Sequence, residues 1–183
     1  MDINKLKKRI RNIPDFPKKG IQFKDITTLL KDHNAFNDSI DIFYNEFKDQ
    51  NIDTVVGVES RGFIFAAPLA LKLRSKLVIA RKPNKLPAEK ISQRYELEYG
   101  SDLIEMHCDS IRKNDRVIII DDLLATGGTA NAVSKLVSRL EGNIISVAFL
   151  IELTELKGCD LLKPHNVFSI LNYWIDFLKK IND

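Results

Sequence analysis

The residues best suited to chemistry lie in one stretch, VIIIDDLLATGGT, from Val117 to Thr129. Four aliphatic residues end at two adjacent carboxylates, Asp121 and Asp122, which the interior of a strand would not tolerate unpaired. We therefore expect the acidic pair at the carboxyl end of a strand, where open α/β sheets bind ligands. The glycines that follow permit a tight turn into a helix, whose free amides and two threonine hydroxyls suit a phosphate dianion. The candidate phosphate-binding residues are Ala125, Thr126, Gly127, Gly128 and Thr129.

A simpler interpretation of this stretch is a plain strand-to-helix turn with two solvated aspartates. A bare pair of glycines would favour it. The ordered combination of an apolar strand, an acidic pair, ATGGT and a helix is far more specific. The stretch is neither a Walker loop nor a dinucleotide-binding GxGxxG turn, because both of those spacings are missing from it.

The stretch resembles the phosphoribosyl pyrophosphate signature of the type I phosphoribosyltransferases. That resemblance implies an α/β fold with a central, mainly parallel sheet flanked by helices, an N-terminal hood and a flexible catalytic loop. It also implies that Asp121 and Asp122 bind the ribose hydroxyls, directly or through Mg²⁺, while the ATGGT amides bind the 5-phosphate. Mg²⁺ is then expected mainly on the substrate, with the two aspartates as possible protein ligands.

Further blocks resemble the adenine phosphoribosyltransferases within that family, in the right order from about residue 9 to residue 173. FPKKGIQFKDITTLL (16–30) is similar to their hood, and ESRGF (59–63) to their pyrophosphate loop. RKPNKLP and LEYG (81–87 and 97–100) are similar to the flexible catalytic loop, and IELTELKG (151–158) to the segment that closes the base pocket.

The resemblance implies roles for individual residues. The pyrophosphate-binding residues would be Ser60, Arg61, Arg81, Lys82, Lys85 and Tyr99. Cations suit that group because pyrophosphate carries dense negative charge, although a solvated basic loop would look the same. The catalytic residues would be Glu98, Arg61 and Arg81, with Glu98 otherwise an exposed hairpin glutamate. The family also implies a cis peptide between Glu59 and Ser60.

The adenine-binding residues implied by the resemblance are Gln22, Phe23, Lys24 and Leu153. Phe23 would stack on the purine and Leu153 would cover its other side, although either residue alone would fit an ordinary core. The hood departs from the common family pattern at Gln22, often aliphatic, and at Lys24, often arginine. Because the family contacts the base there largely through main-chain groups, we expect adenine recognition to survive both departures.

Hydrophobic periodicity predicts the elements that must position these residues. An amphipathic helix is predicted at 2–12 with Asp2 as its N-cap, then an irregular segment at 14–25 and a helix begun by Asn34. Strands are predicted at 54–58, 77–81, 117–122 and 144–152, with helices ending near Leu73 and spanning 129–140. YELEYG and DLIEMH form a hairpin beside a long polar loop, and 174–183 is a surface helix. We expect one domain over 1–183, with helix and hood at 1–33, core at 34–172 and tail at 173–183.

The composition of the chain limits the classes of protein to which it can belong. The chain has 183 residues, 44% hydrophobic and 29% charged, with a net charge of +3. These values favour a globular protein over a disordered one and give no general indication of nucleic-acid binding. No apolar run approaches a membrane span and no signal peptide is recognisable, so we expect a cytoplasmic location without membrane contact. Cys108 and Cys159 are expected as reduced thiols, and the three histidines lack metal-ligand spacing.

The expected reaction converts adenine and phosphoribosyl pyrophosphate to AMP and pyrophosphate in purine salvage. The first alternative is the same chemistry on hypoxanthine, guanine or xanthine. The second is a non-catalytic regulator that senses purine nucleotides, and the third is a simple interaction domain. The family also implies a homodimer, to which Trp174 and Phe177 could contribute, although an amphipathic tail can equally pack on its own subunit.

Overall fold

The computed structural model describes residues 3–97 and 100–174. The N-terminal part contains α1 (Ile3–Lys7), β1 (Arg11–Pro14), β2 (Gln22–Asp25), α2 (Thr27–Leu30) and α3 (His33–Phe47). It is followed by β3 (Thr54–Val58), α4 (Gly62–Leu73), β4 (Lys76–Ala80), β5 (Lys90–Leu97) and β6 (Gly100–His107). The chain continues with β7 (Arg116–Leu124), α5 (Gly128–Arg139), β8 (Asn143–Leu153) and β9 (Val167–Tyr173), with short 3-10 helices at Thr154–Leu156 and Gly158–Leu162.

The central sheet is parallel and, within the described ranges, has five strands in the order β4-β3-β7-β8-β9. Successive side chains of β7 point to opposite faces. Ile118 and Ile120 pack with α3 and α4 on one face, whereas Val117 and Ile119 pack with α5 and the β5–β6 hairpin on the other. Burial on both faces explains why β3 and β7 are nearly continuous aliphatic runs. The predicted α/β class and mainly parallel sheet are confirmed.

The N-terminal prediction was wrong in two places. The helix expected at 2–12 ends at Lys7, and the segment expected to be irregular contains β2, which pairs antiparallel with β1. Helical φ/ψ is disfavoured at Ile13 because Pro14 follows it. Pairing of Arg11 with Asp25 across the two strands also opposes a continued helix, through backbone register and a side-chain ion pair.

Several boundaries also differ from the sequence prediction. Helix α3 is capped by Asp32, whose carboxylate accepts hydrogen bonds from the amides of Asn34 and Ala35, so Asn34 does not begin it. Strand β5 begins at Lys90 and takes up residues expected in the long loop, while the expected hairpin is confirmed as β5–β6. Strand β9 was not predicted. None of the helices in the described ranges is long and apolar enough to cross a membrane.

Candidate active site

The acidic pair lies where β7 meets the start of α4. Helix α4 approaches β7 so closely that a Cβ on Gly62 would lie 2.6 Å from the Ile120 carbonyl oxygen and 3.0 Å from Asp121 Oδ1. Burial raises the pKa of Asp121 well above its ordinary value, and the neighbouring Asp122 carboxylate raises it further. Burial also raises the pKa of Asp122, against the opposing effect of Arg61. Two crowded, desolvated carboxylates favour the approach of a positive charge or of hydroxyl donors.

The ATGGT loop forms a small pocket beside this pair. The pocket has a volume of about 80 Å³ and is lined by Asp121, residues 123–130 and Phe149. Gly127 has φ of +83°, a conformation that disfavours any side chain. A Cβ there would lie 2.5 Å from the Gly158 carbonyl oxygen, so backbone packs directly on backbone. The loop therefore presents its amides at the start of α5 with a fixed shape suited to a phosphate.

Arg61 joins the acidic pair to the hood. Its Nη2 atom lies 2.9 Å from Asp122 Oδ2, and its guanidinium carbon lies 5.5 Å from the centre of the Phe23 ring. Phe23 is in turn packed edge-on against Phe16, with ring centres 5.1 Å apart. Arg61 thus contacts Asp122, which is expected to bind ribose, and also the Phe23 ring, which is expected to bind the base.

The other cations expected at the pyrophosphate also have carboxylate partners. Arg81 Nε and Nη2 lie 3.2 and 3.3 Å from the two Glu59 oxygens, and the Lys82 amide donates to Glu59 Oε2 at 2.7 Å. Burial opposes ionisation of Glu59, but these donors hold its pKa below the ordinary value. Lys82 Nζ lies 3.1 Å from Asp102 Oδ2. Lys85 is exposed and close enough to Glu59 to help lower that pKa.

The structure brings together most of the expected site residues. Ser60 and Arg61 follow β3 after Glu59, and the Glu59–Ser60 peptide is cis, as the resemblance implies. Leu153 is 8% exposed at the carboxyl end of β8, the neighbour of β7. The expected residues Glu98 and Tyr99, and Phe177 of the tail, lie outside the described residues.

Gln22 and Lys24 lie on the opposite side of β2 from the site. Asn12 Nδ2 donates to Gln22 Oε1 at 2.7 Å, and Lys24 Nζ donates to Asn12 Oδ1 at 2.9 Å. Side chains alternate along a strand, so Phe23 between them faces the other way, toward Arg61. The side chains of Gln22 and Lys24 therefore bond to Asn12 and do not lie on the Arg61 side of β2.

Sequence reasoning missed three residues that shape the site. Asp102 accepts from Tyr95 Oη at 3.4 Å as well as pairing with Lys82. Glu59 orients Arg81, and Gly158 supports the phosphate loop. The ESRGF block could have identified Glu59 from the sequence. The roles of Asp102 and Gly158 depend on strand register and on contacts between distant segments.

Comparison with known proteins decides between the families that share such a loop. The phosphoribosyl transferase domain model matches residues 25–180. Adenine phosphoribosyltransferase from Halothermothrix orenii is 55% identical over 166 residues, covering 91% of this chain and 98% of its own. The solved enzyme of the same name from Thermoanaerobacter pseudethanolicus has a TM-score of 0.91 at 49% identity, covering 94% of this chain and 100% of its own.

The chain belongs to the adenine phosphoribosyltransferases. A third member of this family, from Saccharomyces cerevisiae, was solved with adenine and D-2,5-dideoxy-2,5-imino-altritol 1,6-bisphosphate. It has a TM-score of 0.88 at 41% identity, with 92% of this chain and 98% of its own covered. The central parallel sheet and its flanking helices are therefore the type I phosphoribosyltransferase fold.

Proposed function

We propose that this member of the family transfers the 5-phosphoribosyl group of phosphoribosyl pyrophosphate to adenine, giving AMP and pyrophosphate for purine salvage. One observation carries the proposal: Arg61 contacts Asp122 and also lies over Phe23, so the ribose side and the base side belong to one cleft. The yeast relative, solved with adenine and a bisphosphate together, supports the same pairing of ligands.

We assign the walls of the cleft as follows. The ATGGT amides bind the 5-phosphate, and Asp121 and Asp122 bind the ribose hydroxyls. Arg61 and Arg81 bind pyrophosphate, with Ser60, Lys82, Lys85 and Tyr99 completing that wall. Phe23 and Leu153 bracket the purine, while main-chain groups of the Gln22–Lys24 strand read its edge. The cleft has clustered positive charge at one end, which suits pyrophosphate, and apolar surface at the other end, which suits the purine.

Mg²⁺ fits this donor set as a group carried mainly by the substrate. The described residues hold no cluster of three or more potential metal-ligating side chains. Asp121 and Asp122 could supply one or two carboxylate oxygens, which suits an ion that keeps several waters and binds substrate oxygens. Bound there, it would supply charge neutralisation at the departing pyrophosphate.

In the proposed mechanism, the bond from the anomeric carbon to pyrophosphate breaks as a bond from the purine nitrogen forms on the opposite face. The centre passes through an oxocarbenium-like state, comparable to that of glycoside hydrolysis. Arg61 and Arg81 stabilise the negative charge that collects on the leaving group. Glu98 takes or shares the proton that the attacking nitrogen loses. Closure of the 82–99 segment over the substrates excludes water that would otherwise trap the centre.

Product formation from labelled adenine and phosphoribosyl pyrophosphate tests the activity, with and without Mg²⁺. Adding hypoxanthine, guanine and xanthine as competitors in the same assay tests which base is used, and preferential use of any of them would replace adenine in the proposal.

Glu98→Gln should lower turnover by about 10²–10⁴-fold while phosphoribosyl pyrophosphate still binds. Unchanged turnover would remove Glu98 from the mechanism. Slower proteolysis of the 82–99 segment with substrates bound would support the lid.

We further propose a cytoplasmic homodimer, on the basis of family resemblance. Trp174, which is 74% exposed, and Leu71, which is 81% exposed, are the apolar side chains that a second subunit would most readily cover. Sedimentation of the full chain gives the oligomeric state directly, and a monomer at assay concentrations would reject the dimer.

A further inference from the structure

Tyr173, the last residue of β9, contacts three separate parts of the chain. Lys7 Nζ of α1 lies 4.5 Å from the centre of its ring, and Lys24 Nζ of β2 lies 4.6 Å from it. The tyrosine hydroxyl donates to the Lys7 carbonyl at 3.3 Å. Its backbone carbonyl accepts from Thr154 Oγ1 at 3.2 Å. Tyr173 therefore joins the N-terminal helix and the hood through its side chain, and the segment after β8 through its backbone carbonyl.

The electrostatics of this contact are those of two ammonium groups sharing one aromatic ring. Burial lowers the pKa of Lys24, and the nearby Lys7 lowers it further, while Glu155 acts in the opposite direction. The two ammonium groups repel each other, whereas the negative face of the aromatic ring attracts each of them. The Tyr173 ring therefore helps to hold Lys24 in place, together with the hydrogen bond that Lys24 donates to the Asn12 side chain.

Tyr173 is also close to both sides of the proposed base site, because its ring contacts the neighbour of Phe23 and its backbone pairs with Leu153. Lys24 adjoins Phe23 on β2, whose side chains alternate between the Tyr173 side and the Arg61 side. On the other side of the site, Leu153 of β8 is the register partner of Tyr173. Tyr173 is therefore connected to both residues that we expect to bracket the purine, through its ring to Lys24 beside Phe23 and through its backbone to Leu153.

We propose that Tyr173 is a positioning residue for the purine. Its ring holds the hood strand β2 against the end of β9, whose backbone pairs with Leu153 and accepts a hydrogen bond from Thr154, and it does this without touching the substrate. The proposal rests on the base site given under the proposed function. If the ring is lost, the hood populates positions that cannot bind the base, and the apparent affinity falls by the fraction of competent molecules.

The decisive experiment compares Tyr173→Leu with Tyr173→Phe in steady-state assays that vary each substrate in turn. Leucine keeps apolar bulk but removes the ring, so KM for adenine should rise by about five- to thirtyfold, the equivalent of two cation–π contacts. KM for phosphoribosyl pyrophosphate should stay within about twofold. Phenylalanine keeps the ring and should match the wild type within about twofold on both substrates.

Tyr44→Leu is the matched control. Lys72 Nζ lies 5.4 Å from the centre of the Tyr44 ring, which makes the same type of contact between α3 and α4. This control should leave KM for adenine unchanged. If Tyr173→Leu does not fold, Lys24→Gln decides instead. This substitution removes the cation through which β2 contacts the ring and should raise KM for adenine in the same direction, with Lys24→Arg restoring it.

Three results would overturn the proposal: an unchanged KM for adenine, an equal rise in both KM values, or a Tyr173→Phe variant as impaired as Tyr173→Leu. The last would assign the effect to the hydroxyl. A wild-type protein that makes no AMP would instead reject the proposed function, before any variant is compared.

Discussion

Substitution of Gly127 by alanine tests whether the phosphate loop is held by backbone contact with Gly158. Gly127 has φ of +83°, and an added Cβ would lie 2.5 Å from the Gly158 carbonyl oxygen. The left-handed conformation costs a non-glycine residue about 1–2 kcal/mol. Forcing two backbone segments apart resembles overpacking, at about 1–3 kcal/mol. Gly127→Ala should therefore lower the free energy of unfolding by about 2–5 kcal/mol.

Gly20→Ala separates the two contributions. Gly20 also has a positive φ, +97°, but an added Cβ would meet nothing within 4 Å. This control should lose about 1–2 kcal/mol, from the conformation alone. Both variants should remain folded, since domains of this kind have about 5–15 kcal/mol of stability.

The assays are urea unfolding followed by circular dichroism, and calorimetric titration with phosphoribosyl pyrophosphate. Gly127→Ala should displace the loop amides and so weaken binding of phosphoribosyl pyrophosphate at least tenfold, a loss of about 1.4 kcal/mol or more in binding free energy. Gly20→Ala should leave its binding unchanged. Equal losses of stability in the two variants would show that Gly158 yields to the added methyl group, and the account of a rigid phosphate loop would fail.

Two further predictions concern single carboxylates. The pKa of Asp25 is lowered from 3.8 to about 2, mainly by the hydrogen bond from the Thr27 backbone amide, so ionised Asp25 stabilises the hood above pH 4. Urea unfolding should show that the stability lost in Asp25→Asn becomes smaller as the pH falls toward 2. A loss that does not depend on pH would contradict this prediction. Asp102→Asn releases Lys82 from an ion pair in which the lysine side chain is 56% exposed and the aspartate side chain 25%, so KM for phosphoribosyl pyrophosphate should fall by up to about fivefold. Glu141→Gln breaks the exposed pair with Lys113 and should not change that KM. An unchanged KM in Asp102→Asn would show that the ion pair does not compete with the substrate.

The parts of the fold that the sequence predicted well are those with a local signature. In β7 and ATGGT, the strand, the acidic pair, the turn and the helix start are adjacent along the chain, so their order reveals their geometry. Strand β3 was equally clear because burial on both faces requires an unbroken aliphatic run. The same pattern placed the acidic pair near the carboxyl end of β7, but the strand continues past it to Leu124 instead of ending there.

The parts that were missed depend on pairing between distant segments. Arg11–Pro14 looks like the end of a helix until Gln22–Asp25 is placed beside it. The last strand, Val167–Tyr173, is defined by its partner β8. The meeting of Tyr95 with Asp102 follows from hairpin register, which a shift of one residue would change. Side chains that act across such pairings are visible only once the pairing is known.

The internal ion pairs of the site have a consequence for which anions can compete with the substrate. Arg61, Arg81 and Lys82 form ion pairs with Asp122, Glu59 and Asp102, respectively. A lone phosphate ion that reaches one of these cations only exchanges one counter-ion for another, with little net gain. A pyrophosphate group would reach several of these cations together, and its higher charge would outweigh each single carboxylate. We therefore expect these cations to favour linked phosphates over a lone phosphate ion, so inorganic phosphate should compete poorly with pyrophosphate for them.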